Sequence, residues 1–177
     1  MGLGAALTGG IMMMMLAIVT GMAVPAILGA NAGVSAAASQ RLKLDDLQSK
    51  SVISITDIQA QHSNPNISFV LNNTGSTKIW NYAHFTVLVT YNAEVAPSVG
   101  AVQTEQFSYA GISSSPGSGG WSIGQFYNDL ADPKIINPSE AAQIVCGLPH
   151  PLYSNGTVTV VVSTDTGALA SKSGEIS

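Results

Sequence analysis

The chain has 177 residues, of which 46% are apolar and only 9% charged, whereas soluble domains average about 25% charged residues. That balance excludes both a disordered polyelectrolyte and an ordinary cytosolic surface. A net charge of −4 with no basic run excludes a nucleic-acid partner, and the single cysteine excludes an intrachain disulfide framework or a Cys-rich zinc site.

No charge precedes Arg41, and all six Met fall within the first 22 residues. Ile11–Ala30 is uncharged throughout, long enough for about 30 Å of helix and one bilayer crossing. An N-terminal helix is therefore expected within residues 1–40, membrane-spanning or packed in a filament core. Its membrane or assembly residues are read as Ile11, Met14, Met15, Leu16, Ile18, Val19, Val24, Ile27 and Leu28. The stretch is apolar all round, unlike an amphipathic core helix. It lacks the basic flank of a secretory signal. Pro25 is expected to kink it, and Gly21 and Gly29, with Ala17 and Ala26, permit close approach of a like helix.

Residues 41–50 hold five of the sixteen charges and read as a charged collar: the helix end and a short stalk. Leu42, Leu44 and Leu47 form no clean helical stripe. The positive-inside rule would put Arg41, Lys43 and Lys50 in the cytoplasm, but Asp45 and Asp46 stand among them.

From Ser51 to Ser177 the apolar period changes to two. Short β-rich runs follow at Ser51–Ile58, Asn66–Asn73, Lys78–Tyr91, Gln103–Tyr109, Trp121–Tyr127, Ala141–Leu148 and Gly156–Thr164, with a last one between Ala168 and Ile176. Turn chemistry separates them at Asn73-Thr74-Gly75, Ala96-Pro97-Ser98, Asn137-Pro138, Asn155-Gly156 and Thr166-Gly167. Ser113–Gly120 reads as a flexible hairpin tip. The fold class is mainly β with one N-terminal α-helix: a long apolar helix followed by an Ig-like antiparallel β-sandwich of seven or eight strands.

Little in the chain carries chemistry. His62, His84 and His150 lack metal-ligand spacing, and His84 is expected inside the longest strand. Gly-x-Ser-x-Gly is absent. Asp129 and Asp132 sit on a loop and read as turn formers before they read as calcium ligands. Cys146 reads as a buried hydrophobe. No catalytic residue, metal or cofactor is expected. Asn66, Asn72 and Asn155 open Asn-x-Ser/Thr triplets and are candidate N-glycosylation sites if the β domain is extracellular.

The order of pieces, together with four runs, carries a resemblance. The runs are Leu71–Ile79 (LNNTGSTKI), Phe85–Tyr91 (FTVLVTY), Ile135–Glu140 (IINPSE) and Val160–Gly167 (VVVSTDTG). The whole chain resembles the archaellin-like superfamily of archaeal surface filaments, which includes type IV pilin-like proteins, and within it the accessory F and G proteins of the archaellum. The resemblance implies a structural stator component of the motility machinery, with its helix in the cytoplasmic membrane. Its sandwich would lie outside, docked on surface-layer protein or other archaellum subunits, and the chain would form a homo-oligomer. The alternative is a major filament subunit, archaellin or pilin, with the helices packed in the fibre core. Archaellins and pilins are cleaved after a basic-Gly site. This chain has Gly2 and Gly4 but no Lys or Arg before residue 41, which fits either an unprocessed stator-type protein or an already mature sequence, and the retained Met1 favours the former.

Overall fold

The computed structural model describes residues 12–15, 33–96 and 98–177. Met12–Met15 are helical and exposed. Ile11, Leu16, Ile18, Val19, Val24, Ile27 and Leu28 of the expected apolar helix lie outside the described residues, as does Pro25. Among the described residues no helix is long and apolar enough to cross a membrane.

Residues 33–50 form helix α1, so the collar is helical to its last residue and not a stalk. Lys50 Nζ donates to Asp46 Oδ2 at 2.7 Å, one turn back, which places opposite charges at the i,i+4 spacing that supports a helix. The chain divides into two compact units, Met1–Asp45 and Asp46–Ser177. The last turn of α1 therefore belongs with the β domain.

Eight strands follow: β1 (Ile53–Ala60), β2 (Asn66–Asn73), β3 (Thr86–Val95), β4 (Ser98–Ile112), β5 (Gly120–Tyr127), β6 (Ala141–Gly147), β7 (Thr157–Ser163) and β8 (Leu169–Glu175). They pair in the order β1-β2-β6-β5-β4-β3-β7-β8. The 15-residue β4 joins the two halves of this order. Its first part pairs antiparallel with β3, from Val95↔Ser98 to Val87↔Phe107. Its last part pairs parallel with β5, through Ser108↔Gly120, Tyr109↔Trp121 and Ile112↔Ile123. Backbone bonds from Ser177 N to the Ala60 carbonyl (3.0 Å) and from His62 N to the Ser177 carbonyl (2.8 Å) draw the two outer ends of the sheet together.

Alternation decides what faces inward. In β2 the buried positions are Ile67, Phe69, Leu71 and Asn73; in β3 they are Val87, Val89, Tyr91 and Ala93; in β7, Val158, Val160 and Val162. Both halves close on one core containing Phe69, Phe107, Trp121, Ile144 and Leu152, as the period of two dictates when one face of each half is buried. An aromatic cluster fills part of it, with Tyr109 4.7 Å and Phe85 6.1 Å from Trp121, ring centroid to ring centroid.

Two local expectations are corrected. His84 lies in a short 3-10 turn, Tyr82–His84, and is exposed. The Lys78–Tyr91 run breaks there because Ile79 leaves the sheet to bridge Ile136. Ser113–Gly120 is no hairpin tip. Because β4 and β5 run parallel, this segment must carry the chain back along the strands. Pro116 within it is buried, and the segment adds its own bridge, Ser118↔Gly147.

Candidate assembly surfaces

The β domain has two ends. The base receives the last turn of α1 and carries the starts of β1 and β6 and the end of β2. The distal end carries the loops at 61–65 and 148–156 and the β3–β4 turn.

At the base, two of the runs singled out in the sequence meet. Asn73 is 1% exposed. Its side-chain amide donates to the carbonyls of Thr77 (2.7 Å) and Ile136 (3.0 Å), and its side-chain oxygen accepts from Gly75 N (3.1 Å). Its backbone pairs with Glu140 and Ser139. The loop so held grips the end of α1 and the start of β1. Thr74 N and Gly75 N donate to the Val52 carbonyl, Ser76 N donates to the Lys50 carbonyl at 2.8 Å, and the Ser51 and Thr77 hydroxyls lie 2.6 Å apart. Gly75 is required by this closeness, since a Cβ there would lie 2.4 Å from the Lys50 carbonyl oxygen.

The opposite side of this junction is the turn after Ile136. Glu140 is buried, and its Oε2 accepts from the backbone N and the side-chain amide of Asn137, both at 2.9 Å. The Asn137 backbone N–H is the main cause holding the Glu140 carboxyl below its ordinary pKa of 4.5. The Asn137 amide and the Leu130 and Ala131 backbone N–H groups add to it, against an opposing effect of burial. Ser139 sits at φ 69°, a conformation in which a glycine would be less strained. Sequence reading isolated both runs but missed that they form one knot. The signal was an Asn and a Glu placed where a strand ends and the next begins, each in a run of turn-forming residues.

The loop between β5 and β6 uses its own carboxylates. Asp129 Oδ2 accepts from Lys134 N (3.1 Å), and Asp132 pairs with Lys78. Among the described residues no group of three His, Cys, Asp or Glu is disposed to hold a metal ion. Cys146 is buried, and burial pushes its thiol well above the ordinary value.

At the distal end, His62 Nδ1 donates to the Leu152 carbonyl (2.6 Å) and lies 3.9 Å from Glu94 Oε1, while His150 Nε2 lies 3.9 Å from Glu105 Oε1. A hollow of about 330 Å³ opens between Pro65, Pro149 and Pro151. Tyr91 in β3 is buried, and burial, with Glu105 adding, pushes its hydroxyl up to about 12. Asn155 stands exposed at the turn before β7, at φ 59°. Asn66 opens β2 half-buried. Asn72 lies within β2, its amide donating to Thr56 Oγ1 (3.1 Å) and to the Ser54 carbonyl (3.5 Å).

Residues 47–174 match the family model described as conserved flagellar protein F, immunoglobulin-like domain. The chain belongs to this family. It is a family of archaellum components and not of enzymes, and its match spans the sandwich together with the last turn of α1. Among solved structures, the fold is similar to the archaellum periplasmic stator protein FlaG from Sulfolobus acidocaldarius. That likeness has 21% identity and a TM-score of 0.50 over 70% of this chain and 99% of that one. It is also similar to the archaeal flagellum of Methanospirillum hungatei strain JF1, at 14% identity and TM-score 0.62 over 97% and 93% of the two chains. Archaeal flagellin FlaB1 from Methanocaldococcus jannaschii is similar at 10% identity and TM-score 0.52, over 71% and 90%. A search of curated proteins finds no significant match.

Proposed function

We propose that the chain is a stator component of the archaellum, anchored in the cytoplasmic membrane by residues 1–40. In this reading the sandwich lies outside and docks at its distal end on surface-layer protein or a sister subunit. The observation that carries this reading is the family match over 47–174. The base knot supports it, because a stator must pass load from its anchor into its docking domain without a slack linker. Asn73, Gly75 and Glu140 supply such a coupling at residues 46–52. The exposed leucines of α1, Leu42, Leu44 and Leu47, suit packing against like helices in a homo-oligomer. We place N-glycosylation first at Asn155, which is exposed at a turn tip. Asn66 and Asn72 are weaker acceptors, the one half-buried and the other with its amide engaged.

A second reading, a filament subunit with its helices in the fibre core, is favoured by one observation. The likeness to the Methanospirillum filament extends over 97% of this chain and so reaches beyond the sandwich.

One experiment separates the two. Cells are fractionated, and the tagged full-length chain is followed in membranes and in sheared filaments. The stator reading expects it in the membrane fraction, resistant to salt, and cross-linked to surface-layer protein. Recovery as the major band of purified filaments would give the second reading.

A further inference from the structure

The outer face of β1, β2, β6 and β5 is curved by two irregularities at its margins. The β1–β2 register shifts between Thr56 and Gln59, with Asp57 at φ 51°, and the β5–β6 register shifts between Ile123 and Gln125. Such bulges add twist and bend to a strand, and here they leave a trough between them. Two adjoining hollows of about 200 and 450 Å³ share Gln59, Ser68 and Gln143 as common walls. Asn66 stands toward one end, and Asn72 and Tyr127 toward the other. Gly124, at the β5 bulge, is hemmed in. A Cβ there would lie 3.1 Å from Val145 and 3.2 Å from the Gln143 side-chain oxygen, so the missing side chain leaves the Gln143 amide uncrowded.

The lining is polar and nearly uncharged, in keeping with the low charge of the whole chain. Among the residues that line the two hollows, Asp57 alone is charged. Among the described residues the side chains of Gln59, Ser68 and Gln143 make no hydrogen bonds, whereas Asn72 is fixed against Thr56. Carboxamides and hydroxyls each offer donors and acceptors together, and strands hold them without the entropy cost of a loop. An anion would find no cation here, and a lipid or apolar peptide would strand the amides unpaired. A ligand dense in neutral hydroxyls pairs with all of them.

We propose that this trough binds a neutral oligosaccharide carried by another envelope component. Neither the stator nor the filament reading is needed for this, since the trough runs along the outer sheet face, from Asn64 of the 61–65 loop to Asn128 beyond β5.

The test is binding of the purified full-length chain, in detergent, to immobilised mannotriose, cellotriose and chitotriose, with a sulfated heparin oligosaccharide as the charged control. The expected result is capture by at least one neutral probe, unchanged at 0.5 M salt, and none by the sulfated one. The double variant Gln59→Ala with Gln143→Ala, checked for native circular dichroism, should weaken capture at least tenfold. Ser68→Trp, which fills the trough from the strand between those two glutamines, should abolish it. Capture by none of the three neutral probes would overturn the proposal, as would capture untouched by either variant. Mass spectrometry finding the chain's own glycan on Asn66 or Asn72 would also overturn it, because that glycan would already fill the space.

Discussion

Asn73 engages all of its side-chain and backbone polar groups in holding the base together, so its loss is felt beyond its own contacts. Asn73→Ala leaves the Thr77 carbonyl without its donor and the Ile136 carbonyl with Ile79 N alone, a cost of about 1–3 kcal/mol. Urea unfolding of the β domain should show the midpoint falling with an unchanged slope. Asn73→Asp should behave no better, since a carboxylate cannot donate to those carbonyls. Glu140 gives a pH-dependent counterpart. Its folded pKa is depressed, so its stabilisation is present above the unfolded value near 4.5 and is lost as pH falls through the lower folded value. Glu140→Gln should therefore be less stable than the parent at neutral pH, and the difference should shrink below pH 4.5. Thermal melts at pH 7 and pH 3 check this, and an equal deficit at both would contradict the assigned role. Cys146 should resist a bulky thiol reagent until the domain unfolds, because its thiol is both buried and held protonated.

At the scale of elements, the switch of β4 from one half of the sheet to the other decides what its exit loop must do. Replacing Ser113–Gly119 by a two-residue Asn-Gly turn would enforce an antiparallel β4–β5 pair, which the register forbids. The variant should fail to fold, seen as loss of the β circular-dichroism band, while a substitution confined to Ser114 should be silent. Seven or eight strands were legible from alternation and turn residues, because inward positions such as Val87, Val89 and Tyr91 follow period two without interruption. The direction of β5 was not. Period two reports which face a strand buries, and says nothing of which way its neighbour runs. Gly and Ser in the 113–120 run signal a turn of any kind, so the crossover and the hairpin read alike. His84 was misplaced for a related reason: β-rich residues on both sides hid the break that the Ile79–Ile136 bridge imposes. The base knot was half legible, as motifs without a geometry, since the bonds that join the two runs, from Asn73 to Ile136, Ser139 and Glu140, link residues some sixty positions apart.

For the molecule as a whole, the division after Asp45 predicts an autonomous fragment. Asp46–Ser177 should unfold cooperatively with a β-type spectrum. Ser51–Ser177 should keep the same spectrum but lose stability, because it lacks the Lys50 carbonyl that Ser76 engages. Differential scanning calorimetry of the two fragments decides it, and identical melting would show the last turn of α1 to be idle. The path of β1 has a mechanical consequence. This strand starts at the base beside the α1 end and finishes at the distal end beside Ser177. Its antiparallel ladder with β2 lies along the line joining residue 46 to the 148–156 loop. Tension between those points slides β1 past β2, so the rungs are strained together and not opened one after another. Pulling from residue 46 and the 148–156 loop should thus need a higher rupture force than peeling β8 away from β7 by the C-terminus, in a single-molecule comparison.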